Sequence, residues 1–168
     1  MSASSPFQRA ILLVEDQEDD VLLLRLAFEK AGLKWPILRV GSGLEAQAYL
    51  NGVPPYQDRV SYPFPSLVLL DIRMPLMDGY EVLRWIRHQP EFASIPVVML
   101  TGSDQMRDAN TAYQLGANSF LVKPMDFNNT AEISRSIEHL IDGFFKSGGG
   151  NENVGGLPMG LSEPPSFH

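Results

Sequence analysis

Hydrophobic positions along this chain alternate between unbroken apolar runs and runs spaced at three and four residues. Ala10 to Val14 is a short all-apolar run ending at Glu15-Asp16, the pattern of a strand buried on both faces. From Asp19 the period changes: Val21, Leu24, Ala27 and Phe28 recur at helical spacing, and Gly32 closes the segment. Pro36 to Val40 reads as a second strand, and Leu44 to Leu50 as a short helix broken by Asn51-Gly52. Leu67 to Leu70 makes a third strand, which delivers Asp71. Helical spacing returns over Gly79 to His88 through Tyr80, Leu83, Ile86 and Arg87. Pro96 to Leu100 is a fourth strand, followed by a helix from about Asp104 to Leu115 that stops at Gly116. Ser119 to Val122 is a fifth strand ending at Lys123-Pro124, and a last helix runs from about Asn128 to Phe145. Its Ile133, Ile137, Leu140, Ile141 and Phe144 share one face, as a helix packed on a sheet requires.

Strand and helix alternate five times, and every strand is built on a short apolar run. That order predicts an α/β fold: a parallel sheet covered by helices on both faces, with its binding crevice at the carboxyl ends of the strands. Residues 52–66 hold Pro54, Pro55, Pro63 and Pro65 and are read as a long Pro-rich loop. Residues 1–9 form an N-terminal extension. From Ser147 the run SGGGNENVGGLPMG cannot bury enough apolar surface to fold, so 147–168 is expected to be a flexible tail.

Composition narrows the function. A net charge of −7 argues against broad affinity for nucleic acid or an anionic membrane. The chain has no cysteine, which excludes disulfides and thiolate metal sites. MSASSPFQR lacks the basic and apolar stretches of a signal peptide, and no apolar run approaches the roughly 20 residues that span a bilayer. A soluble, cytoplasmic protein is expected.

The polar residues that end the apolar runs carry the chemistry. The first run ends in Glu15-Asp16, the third in Asp71, the fourth in Thr101 and the fifth in Lys123. Taken singly, a strand-end Asp is more often a cap or turn former, and Glu15-Asp16 also suit the start of the helix near Asp19. Together, three carboxylates, a hydroxyl and an ammonium converge on one end of the sheet. Carboxylates this close repel one another unless a cation is present, and an all-oxygen set without His or Cys selects magnesium or a similar ion rather than zinc. Magnesium shares phosphate oxygens readily, and a carboxylate can attack phosphorus to form an aspartyl-phosphate.

The segments ILLVED, LVLLDIRMPLMDGYEVL, VVMLTGS and FLVKP, in this order, resemble the signature blocks of response-regulator receiver domains of two-component signalling. The resemblance covers the unit 10–146. It implies a flavodoxin-like, doubly wound five-stranded sheet of order 2-1-3-4-5, and Asp71 as phosphoacceptor. Asp16, Asp71 and the Arg73 main-chain carbonyl would be ligands of Mg2+, with Glu15 acting through a water. Thr101 and Lys123 would hold phosphoryl oxygens, and Thr101 and Phe120 would move together as the switch. Glu15 stands where the family more often has Asp, and Phe120 where a Tyr is common, so the bulk is kept and the hydroxyl is absent. The resemblance further implies a cis peptide at Lys123-Pro124, which would aim Lys123 at Asp71. Residues 52–66 resemble the insertion of small stand-alone regulators that serve phytochrome-like sensor kinases.

The expected function is a stand-alone response regulator that takes a phosphoryl group from a sensor histidine kinase or phosphotransfer protein. It would signal through a changed protein-binding surface, and the last helix–strand–helix face offers a homodimer contact. It would not be an enzyme beyond its own phosphorylation and slow dephosphorylation, the slowness following from an Arg73 side chain that overhangs the phosphoryl group. A phosphatase of the haloacid dehalogenase type also uses a strand-end Asp, but wants a second Asp where this chain has Arg73. A pseudo-receiver that binds partners without phosphorylation would not need Asp16, Asp71, Thr101 and Lys123 together.

Overall fold

The computed structural model describes residues 9–102, 106–124 and 130–145. Ten elements follow one another: β1 Ile11–Val14, α1 Glu18–Lys30, β2 Ile37–Val40, α2 Gly43–Asn51, β3 Leu67–Asp71, α3 Gly79–Arg87, β4 Val97–Thr101, α4 Met106–Gln114, β5 Ser119–Val122 and α5 Thr130–Phe145. The five strands form one sheet of order β2-β1-β3-β4-β5, parallel throughout. Both the alternation and the expected strand order are found. The beginnings expected for the fourth and fifth helices, near Asp104 and Asn128, lie outside the described residues, as do 1–8, the tail 147–168 and the side chain of Phe144.

Two apolar layers hold the sheet. On one face Leu12, Val14, Leu70 and Met99 pack with Tyr49 of α2, Leu83 and Ile86 of α3, Ala112 of α4 and Phe120. On the other, Ile11, Leu13, Leu69 and Leu100 pack with Leu24 and Phe28 of α1 and Ile137 and Leu140 of α5. Alternate residues of the strands thus enter opposite layers, which is why the central strands β1, β3 and β4 are unbroken apolar runs up to their ends. Truncating a fully buried residue such as Leu24 to Ala would cost about 2–5 kcal/mol.

Local signals set the helix ends. Ser42 caps α2 by accepting from the Glu45 N–H, and Asp78 and Glu81 form a reciprocal capping box at the start of α3. Gly52 ends α2 in the left-handed region at φ 68°. The 52–66 segment contains no helix or strand but is tied down. Arg59 donates to the Tyr49, Leu50 and Tyr62 carbonyls, and Tyr56 and Tyr62 pack around the Tyr49 ring. Among the described residues no helix is long and apolar enough to cross a membrane.

Candidate functional site

Parallel register brings the strand ends level. Val14 of β1 pairs with Leu70 of β3, Asp71 with Leu100 of β4, and Thr101 with Val122 of β5. The residues at or just beyond these positions therefore gather at one edge of the sheet: Glu15-Asp16, Asp71, Thr101 and Lys123. The next strand, β2, pairs on one side of β1 and β3 on the other, so this end of the sheet lies at the point where strand order reverses.

One carboxylate oxygen from each of Glu15, Asp16 and Asp71 lies within 4.8 Å of the others. Two unit charges at that separation repel by about 3 kcal/mol at an effective dielectric of about 20. Glu15 is fully buried and Asp71 is 2 % exposed, so water does little to relieve this. Burial, followed by the charge of Asp71, pushes the Glu15 carboxyl up to about 7. Burial likewise raises Asp71, with Lys123 acting in the opposite direction. Glu15 Oε2 accepts from the Gln17 N–H at 3.1 Å, and Asp16 Oδ2 from the Gln17 side chain at 3.2 Å. Asp16 Oδ1 is buried and has no hydrogen-bond partner. A hard, oxygen-only set with an orphaned carboxylate oxygen fits a divalent cation of the magnesium class.

Lys123 supplies the cation the chain itself brings. Its Nζ lies 2.7 Å from Asp20 Oδ2, 3.1 Å from Glu15 Oε1 and 3.2 Å from Asp71 Oδ1. Burial disfavours the ammonium, but the bond to Asp20 and the charges of Asp71 and Glu15 outweigh it and raise the lysine above its ordinary range. The Lys123 N–H donates to the Thr101 carbonyl at 2.7 Å, which ties the end of β5 to the end of β4. Thr101 is buried at the end of β4, and Phe120 is buried in the layer that also holds Ala112 of α4.

Two expectations need correction. Among the described residues the cis peptide is Pro54–Pro55, and the bond between Lys123 and Pro124 is not cis. Lys123 reaches Asp71 without it, because the β5 register already delivers the side chain to the sheet edge. The Arg73 side chain does not overhang Asp71 in this state. It is 75 % exposed and its guanidinium stands 3.8 Å from Asp108 Oδ2 of α4, whose carboxylate also accepts from the Tyr80 hydroxyl at 3.4 Å. The Arg73 main chain does face the site, its N–H donating to Asp71 Oδ1 at 3.4 Å. Asp20 was missed, because three acidic residues in a first helical turn already have a reason to be there in the helix dipole.

Known proteins share this geometry. Response regulator Rcp1 of Synechocystis is 33% identical over 82% of this chain and 92% of its own length. The Mn2+-bound form of Rcp1 superposes with a TM-score of 0.68 at 30% identity, covering 86% of this chain and 99% of that one. Response regulator RPA3017, from red light signalling of R. palustris, gives a TM-score of 0.74 at 28% identity, covering 95% of this chain and 99% of that one. The phosphorylated cyanobacterial phytochrome response regulator RcpA gives 0.69 at 31%, covering 83% and 95%. The model of the response regulator receiver domain matches residues 11–135, and with the acidic strand-end cluster beside Lys123 the conclusion is plain: this chain belongs to the receiver-domain family of two-component signalling.

Proposed function

We propose that Asp71 is the phosphoacceptor of this receiver and that Lys123 and Thr101 hold the oxygens of the incoming phosphoryl group. The observation that carries this reading is the Lys123 Nζ atom 3.2 Å from Asp71 Oδ1 at a buried, carboxylate-lined sheet edge. A carboxylate oxygen of Asp71 attacks phosphorus on a histidine kinase or phosphotransfer protein. One O–P bond forms as the bond to the donor atom breaks, and the bonding pair leaves with the donor. The Lys123 ammonium and the Thr101 hydroxyl meet charge that builds on the phosphoryl oxygens. The chain thus promotes its own phosphorylation.

Asp16, Asp71 and the Arg73 main-chain carbonyl would hold Mg2+, with Glu15 engaged through a water. The ion supplies neutralisation of phosphoryl charge at a site that otherwise repels it. The Mn2+-bound form of Rcp1 supports a divalent cation in a relative of this chain. Once the phosphoryl group is in place, the Thr101 hydroxyl turns toward it and Phe120 moves into the space released, reshaping the α4–β5–α5 face. That face is the output surface, toward a partner protein or a second copy of the chain. The receiver unit runs over 10–146.

Incubation with acetyl phosphate tests the reading. The wild-type chain takes up one phosphoryl group in the presence of Mg2+, and Asp71→Asn does not. Labelling of the Asn variant at the wild-type rate overturns the assignment of Asp71. A wild-type chain that takes up no label with Mg2+ present would instead be a pseudo-receiver.

A further inference from the structure

The shortest contact Lys123 makes is with a carboxylate outside the metal-type cluster. Asp20 Oδ2 lies 2.7 Å from Nζ, against 3.1 Å for Glu15 and 3.2 Å for Asp71. Asp20 belongs to the first turn of α1 and is not one of the three carboxylates that lie within 4.8 Å of one another. An ammonium has three N–H donors in tetrahedral array; here it donates to Asp20 and Glu15 and forms an ion pair with Asp71. Lys123 is a long, flexible side chain whose ammonium is fixed only where carboxylates hold it, and the shortest of those contacts is the charge-assisted bond to Asp20.

We infer that Asp20 is a positioning residue for phosphoryl transfer: it anchors the Lys123 ammonium from the α1 side, so that one N–H stays aimed at the Asp71 oxygen that attacks phosphorus. The inference rests on the phosphoryl-holding role of Lys123 given above. When the phosphoryl group arrives, Lys123 keeps its bonds to Asp20 and Glu15 and turns only the third donor, from the Asp71 oxygen to a phosphoryl oxygen. Asp20 itself touches neither phosphorus nor the attacking oxygen. Its 28 % side-chain exposure, against 3 % for Asp71, places it on the solvent side of Lys123, where it also keeps the ammonium from turning outward.

The test compares full-length wild type, Asp20→Ala, Asp20→Asn, Lys123→Ala and the Asp20→Ala/Lys123→Ala double variant. The rate of uptake from acetyl phosphate is followed at saturating Mg2+. Asp20→Ala is expected to slow uptake about tenfold in the wild-type background and to change nothing further beside Lys123→Ala, as coupling through one residue requires. Asp20→Asn, nearly isosteric, serves if the Ala variant does not fold, and it is slowed in the same sense. In metal-free protein, a 15N signal from the Lys123 ammonium is expected in wild type and is lost in Asp20→Ala, a change that loss of packing elsewhere does not cause. Wild-type rates in both Asp20 variants overturn the anchor, and so does an equal slowing in the Lys123→Ala background. If Lys123→Ala alone retains the wild-type rate, the failure lies with the role of Lys123, and the anchor falls with it.

Discussion

The Lys123 ammonium stands 3.2 Å from the Asp71 carboxylate, so the ends of β5 and β3 meet across β4, the strand between them. That contact depends on where the Asp71 backbone sits, and Gly79 helps to set it. The Gly79 N–H donates to the Ile72 carbonyl at 2.8 Å, and a Cβ on Gly79 would run into the Asp71 carbonyl oxygen.

Gly79→Ala should therefore displace the Asp71 main chain rather than merely stiffen the start of α3. The expected cost is about 1–3 kcal/mol of stability from overpacking, with slower uptake of phosphoryl groups from acetyl phosphate. Urea denaturation and labelling rates check both. Wild-type stability with a wild-type rate would mean that the loop absorbs the methyl group without moving Asp71.

The acidic cluster gives metal-free stability a definite pH dependence. The Glu15 carboxyl is raised by burial and by Asp71 from 4.5 to about 7. Between those values the folded chain holds a proton the unfolded chain has released, so stability falls as pH rises through this window. Asp71, also raised, acts in the same sense. The unfolding free energy from urea denaturation in a chelator should drop by an amount on the order of a few kcal/mol between pH 4.5 and 7. Saturating Mg2+ should offset much of that fall, because the cation takes the proton's place. Glu15→Gln should flatten it. A metal-free stability that rises with pH across this range, with no such difference in the Gln variant, contradicts the reading of the site.

Arg73 is expected to set the lifetime of an aspartyl-phosphate formed at Asp71. In the unphosphorylated chain its guanidinium is turned toward Asp108, but it is largely exposed, and such a pair contributes no more than about 1 kcal/mol. A phosphoryl group on Asp71 would be the stronger acceptor and would draw the guanidinium over the site, to obstruct water approaching in line. Arg73→Asn should lose phosphate several-fold faster than wild type. An unchanged rate would mean that Arg73 stays with Asp108.

Much of this was readable from periodicity alone. The strands carry apolar runs because both faces of a parallel sheet are covered, so their ends, and hence Asp71, Thr101 and Lys123, could be located before any contact was known. What escaped depended on contacts between distant residues. Nothing local distinguishes Asp20 from Glu18 and Asp19 in the same helical turn, yet only Asp20 among them meets Lys123. The 52–66 segment reads as a loop from its prolines, whereas the Arg59 clamp on the carbonyls at the end of α2 and the Tyr49–Tyr56–Tyr62 packing arise only in three dimensions. The cis bond expected at Lys123-Pro124 came from resemblance, and the strand register made it unnecessary.

The central claim is that Asp71 itself carries the phosphoryl group. An acyl phosphate is reduced by borohydride to an alcohol, which converts a phosphorylated aspartate to homoserine and leaves free carboxylates untouched. After Mg2+-dependent reaction with acetyl phosphate and reduction, peptide mass spectrometry should find homoserine at position 71 and at no other acidic residue. Homoserine at Asp16 or elsewhere, with Asp71 unmodified, would contradict the account.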